Sequence, residues 1–138
     1  MTPIFADTSG WANILDRSQP LHPLAVQLYQ IARQNGQKII TTNYIITELV
    51  ALLTSPLRIP RKTTISLIQS LKSSPYIEVI HISSDLDTKA WELLINRVDK
   101  EWSLVDCSSF VLMQEMKLSE ALTTDHHFEQ AGFIRLLK

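Results

Sequence analysis

One cysteine, Cys107, stands in the whole 138-residue chain, so no internal disulfide can form and no cysteine-paired zinc site can be built. A lone thiol fits a reducing cytosol, and Cys107 reads as a structural residue. No run approaches the roughly 18 apolar residues that cross a membrane. The amino terminus, MTPIFADTSGW, lacks the basic segment that opens a signal peptide, so a cytoplasmic protein with no membrane partner is expected. A large charge of either sign is missing as well. With a formal net charge of −1 there is no global basic field, and a nucleic-acid partner would have to be held by a local patch. Arg58, Arg61 and Lys62 form the densest basic cluster and read first as a solvated turn and helix start. Repeats, low-complexity tracts and linkers are absent. With 45% hydrophobic residues, the chain suits one compact domain spanning 1–138.

Short apolar runs bounded by polar or turn residues occur at Pro3–Ala6, Lys38–Thr41, Tyr76–Ile82, Ala121–Thr123 and Phe133–Leu136. Each has the form of a buried strand. Helices are expected over Thr8–Asp16, Pro23–Gln34 (stopped by Gly36), Tyr44–Leu53, Arg61–Leu71, Asp85–Val98 and Leu104–Met116, with a short one over His126–Gln130. Ser55-Pro56 and Ile59-Pro60 separate the third from the fourth, because proline disfavours helix in the residue before it. Strands alternating with helices predict an α/β fold, a parallel sheet covered on both faces.

In such sheets ligands bind beyond the carboxyl ends of the strands, where strand order reverses. Asp7 directly follows the first predicted strand and Asp125 the fourth. Either one alone reads as a helix N-cap. Glu48 is harder to explain locally. Its helical neighbours Tyr44, Ile45, Ala51 and Leu52 are largely apolar, and a carboxylate in such a stripe needs a partner or an escape to water. Asp106 completes a capping-box pattern with Ser103 and also sits in the first turn of a helix beside the same crevice. Together the four form a candidate catalytic and metal-binding set. Unneutralised carboxylates about 5 Å apart repel by about 3 kcal/mol per pair at an effective dielectric near 20, so the cluster calls for a cation. All-oxygen donors suit Mg²⁺ or Mn²⁺, and the matching chemistry is hydrolysis of a phosphate ester.

Four segments carry a family resemblance. Asp7-Thr8-Ser9-Gly10-Trp11, Thr41-Thr42-Asn43 leading to Thr47-Glu48-Leu49, Ser103 to Phe110, and Thr124-Asp125-His126-His127-Phe128 followed by Ala131-Gly132-Phe133 resemble the PIN-domain ribonucleases in order and spacing. Within that family the chain is most similar to the small single-domain toxins of VapBC toxin–antitoxin pairs. The resemblance implies a PIN-like three-layer α/β/α sandwich with a five-stranded parallel sheet in the order 3-2-1-4-5. It implies that Asp7, Glu48, Asp106 and Asp125 bind Mg²⁺ or Mn²⁺ and activate water to cut RNA. It also implies a homodimer and a cognate antitoxin that inserts into the groove. Many members carry another acid shortly after the last aspartate, where this chain has His126, His127 and Phe128. That departure leaves the number of metals open.

Adjacent residues on a helix point about 100° apart, so the two histidines are not expected to grip one ion together, and helix-start polar residues are the simpler reading. Thr8 and Ser9 are expected to bond locally at a helix start, and Trp11 and Phe110 to lie in the core. Asp99 could contribute an acid, but its loop favours a solvated residue. The alternative to a nuclease is a non-catalytic PIN-like module that binds RNA or a protein. An aspartyl-phosphate phosphatase fails, because Ser9 stands where that pattern has a second acid.

Overall fold

Wherever the sequence combines a short apolar run with flanking turn residues, a strand forms. The computed structural model describes residues 1–138, beginning with β1 (Ile4–Ala6), α1 (Thr8–Leu15), α2 (His22–Gln34), β2 (Ile39–Thr42) and α3 (Asn43–Thr54). The chain continues through α4 (Arg61–Ser73), β3 (Ile77–Ile80), α5 (Ser84–Asn96) and α6 (Leu104–Glu115). It closes with β4 (Glu120–Leu122), α7 (His127–Gln130) and β5 (Ile134–Arg135). The five strands are parallel in the order β3-β2-β1-β4-β5. Helices α1 to α4 pack on one another, α5 packs on α6, and these groups are the outer layers of the sandwich. The expected fold class and strand order are therefore met.

Every residue of β1 and β2 is buried, as central parallel strands covered on both faces must be. Edge strands β3 and β5 are only partly so. Phe5 from β1, Phe110 from α6 and Phe128 from α7 stack through the core, the last two edge-to-face at 4.9 Å. That cluster fixes the short helix α7 against the sheet. No helix is long and apolar enough to cross a membrane.

Element limits differ from the sequence expectations by one or two residues, for local reasons. β3 stops at Ile80 because the Ile82 N–H donates to Asn43 Oδ1 (2.7 Å). Helix α5 starts at Ser84 because Ser83 caps it by accepting from the Leu86 N–H, and it ends at Asn96 where Arg97 leaves helical geometry. Helices α2, α6 and α7 finish alike: a left-handed residue (Gly36, Lys117, Gly132) is followed by an N–H that reaches back five residues, as Gln37 does to the Ala32 carbonyl. Only at Lys117 does a residue with a side chain fill that position.

Candidate active site

The last register pairs between β1 and β4 are Phe5 with Ala121 and Ala6 with Leu122, so the next step sets Asp7 opposite Thr123 at the carboxyl edge, where strand order reverses. The chain turns at Asp7, the N-cap of α1. Helix α1 can sit this close to β4 only because residue 10 is glycine: a Cβ there would lie 2.0 Å from the Leu122 carbonyl oxygen.

Asp7 is 8% exposed. Its Oδ1 accepts from the Gly10 N–H (3.0 Å) and the Ser9 hydroxyl (2.8 Å), and its Oδ2 accepts from the Thr123 hydroxyl (2.7 Å). Burial outweighs these bonds and raises the pKa from 3.8 to about 6, with the charge of Asp125 adding to the rise. Glu48, half-buried on α3, accepts through Oε1 from the Thr8 hydroxyl (2.7 Å). Its pKa is also raised, by burial first and then by the charges of Asp106 and Asp125.

Asp106 completes a capping box at the start of α6, its Oδ2 accepting from the Ser103 N–H (3.1 Å). Burial raises its pKa, Asp125 adds to that, and the Ser103 bond and His127 oppose it. Asp125 Oδ1 accepts from the His127 N–H (2.9 Å), so the residue does cap the turn into α7. The side chains of Asp7, Glu48, Asp106 and Asp125 thus face one crevice from the end of β1, from α3, from α6 and from the β4–α7 turn, close enough that the charge of Asp125 perturbs the other three.

None of the four is paired with lysine or arginine; the only basic groups within ion-pair distance are His126 and His127. Glu48 Oε2, Asp106 Oδ1 and Asp125 Oδ2 accept no hydrogen bond from the protein. Raised carboxylate pKa values, unpaired oxygens and the lack of a fixed cation suit a hard divalent ion.

Several expectations need correction. Thr8 and Ser9 do not serve only their own helix start: Thr8 reaches across to Glu48, while Ser9 accepts from the Thr124 N–H (3.0 Å). Thr123, read simply as a strand end, is fully buried and joins Asp7 to the backbone of Asp125, whose N–H donates to its hydroxyl (2.9 Å). The available signal was a threonine hydroxyl at the end of an apolar run, which needs a buried partner.

The histidines also sit closer together than 100° spacing on a helix suggests. Ligating atoms of Asp125, His126 and His127 all lie within 4.8 Å of one another, although His126, the N-cap of α7, keeps helical backbone angles (φ −64, ψ −16). Asp99 lies apart, exposed and gripped by Arg97 through two bonds (3.0 and 3.1 Å). Trp11 and Phe110 are core residues, and Cys107 is buried with its thiol pushed up to about 11 by that burial. Arg58, Arg61 and Lys62 are all exposed.

Comparison with known proteins gives a consistent pattern. The sequence model of the family described as PIN domain matches residues 4–134. The 23S rRNA-specific endonuclease VapC20 of Mycobacterium tuberculosis is 29% identical over 133 residues, 96% of this chain and 97% of the relative. The crystal structure of that organism's VapC20, described as a Sarcin-Ricin loop cleaving toxin, superposes with a TM-score of 0.83 at 27% identity, covering 95% of this chain and 96% of that one. FitAcB from Neisseria gonorrhoeae shares the fold, with a TM-score of 0.64 at 17% identity over 98% of this chain and 96% of its own.

Proposed function

The chain belongs to the PIN domain family, and on that premise we propose that residues 1–138 act as one PIN domain, a metal-dependent endoribonuclease serving as the toxin of a toxin–antitoxin pair. One observation carries the reading. Asp7, Glu48, Asp106 and Asp125 converge at the strand-order switch with three raised pKa values and no lysine or arginine to balance them. A site so arranged favours a bound cation and, through it, a phosphodiester.

The four carboxylates would hold Mg²⁺ or Mn²⁺. When bound, such an ion polarises a phosphoryl oxygen and lowers the pKa of a water. The chain's own contribution is position. Gly10, Ser9 and Thr123 fix both oxygens of Asp7, Thr8 fixes one oxygen of Glu48, and the Ser103 cap fixes Asp106. Each carboxylate except Asp7 keeps one oxygen free for a ligand. Hydroxyls that would otherwise compete for water are spent inside the network, so little reorganisation is needed when substrate arrives.

VapC20 is named for action on 23S rRNA and on its Sarcin-Ricin loop. A structured ribosomal RNA is accordingly the substrate class proposed here. A cognate antitoxin is supported by the description of that relative as a toxin. A homodimer is supported by Trp91, Ile95 and Val98, which leave an apolar stripe exposed on and just beyond α5. The cytoplasm is the proposed location.

Cleavage of a ribosomal stem-loop RNA, with Mg²⁺ or Mn²⁺ and with a chelator control, tests the assignment. Asp106→Asn should lower cleavage by about a hundredfold or more while the fold is retained. Equal cleavage by wild type and variant would refute the site.

A further inference from the structure

His127 occupies a place that capping does not explain. Its neighbour Phe128 is fully buried against Phe5 and Phe110, which leaves the His127 ring little freedom of approach. The ring points between two acids: Nδ1 stands 3.1 Å from Asp106 Oδ2 and 3.4 Å from Asp125 Oδ1. The side chain is only 18% exposed, against 64% for His126, whose Nδ1 is 3.7 Å from Asp125. Donor atoms on adjacent corners of an octahedral dication with bonds of about 2.1 Å are about 3.0 Å apart. Both separations at His127 are close to that spacing.

Resting on the reading of the four carboxylates as a metal centre, we propose that His127 is a nitrogen ligand of that centre, binding through Nδ1 between Asp106 and Asp125. Its imidazole tilts the centre from Mg²⁺ toward transition-metal dications such as Mn²⁺. The physical reason is donor type. Mg²⁺ takes oxygen and sheds its water reluctantly, whereas imidazole is a favoured donor for the transition series. Neutral imidazole offers Nδ1 as the lone pair when the proton resides on Nε2.

Pulsed EPR of the whole protein loaded with Mn²⁺ tests this, because a directly bound imidazole gives a strong ¹⁴N coupling that a merely hydrogen-bonded one does not. Wild type and His126→Ala should show the coupling, and His127→Ala should lose it. Calorimetric titration should find Mn²⁺ affinity reduced at least about tenfold in His127→Ala, with Mg²⁺ affinity changed less than about threefold. His127→Gln, which keeps a polar side chain, should behave like the alanine variant and serves if that variant misfolds. Mn²⁺ bound with no nitrogen coupling in wild type, or coupling that survives in His127→Ala, overturns the proposal and leaves the carboxylate centre standing. No Mn²⁺ binding at all overturns both.

Discussion

Replacing Asp7 with asparagine should make the metal-free protein more stable, and increasingly so as pH rises. The folded protein holds a proton on Asp7 up to about pH 6, whereas the unfolded chain releases it near 3.8. Between those values the native state carries more protons than the unfolded one, so stability falls as pH increases. The full penalty, reached above about pH 6, is on the order of 3 kcal/mol. Asparagine removes the buried charge and can still accept from the Gly10 N–H and the Ser9 hydroxyl. Its amide would face the Thr123 hydroxyl, which must turn to accept, an adjustment worth about 1 kcal/mol against the variant. Integrating the two titrations leaves a pH-dependent part. The advantage of Asp7→Asn should grow by about 2 kcal/mol between pH 4.5 and pH 7.5. Urea unfolding in chelator at both pH values reads this directly, as a relative midpoint change of about 1 M. A stability difference that stays flat across that range would refute the argument that burial holds the Asp7 proton.

Gly10→Ala should be damaging in a different way. A Cβ 2.0 Å from the Leu122 carbonyl oxygen forces α1 outward by about 1 Å or more, costing about 1–3 kcal/mol in thermal or urea unfolding and, through the displaced Asp7, about a hundredfold in RNA cleavage. Lys117→Gly should act oppositely. Lys117 adopts φ 58 at the end of α6, and glycine there should stabilise by about 0.5–1 kcal/mol, visible as a Tm rise of about 3 °C without loss of cleavage.

How much of this was legible beforehand depended on whether a signal was local. The strands announced themselves through apolar runs, and Gly36 marked the end of α2 because its left-handed geometry has one favoured residue. Lys117 adopts the same geometry at the end of α6 with no such mark, and the expected limit there ran one residue too far. The four acids were nameable since each stood at a strand end, inside an apolar stripe or, for Asp106, in a capping-box pattern at a helix start. Their hydroxyl partners were not. Thr8 lies 40 residues from Glu48 and Thr123 lies 116 from Asp7, and only the register of β1 on β4 brings the latter pair together. His127 was undervalued for a related reason. Its approach to Asp106, 21 residues earlier, depends on how α7 docks beside α6, which no local pattern signals.

The threonine beneath the site has one proton to give. Thr123 spends it on Asp7, and Ser9, 3.2 Å away, spends its own on the other oxygen of the same carboxylate. While Asp7 is ionised, the two hydroxyls are therefore side by side with neither donating to the other. If Asp7 takes up a proton, one oxygen becomes a donor, and a neighbouring hydroxyl must swing away to become an acceptor. The Ser9–Thr123 contact then turns into a hydrogen bond. The orientation of the Ser9 and Thr123 hydroxyls is thereby slaved to the charge of a single carboxylate.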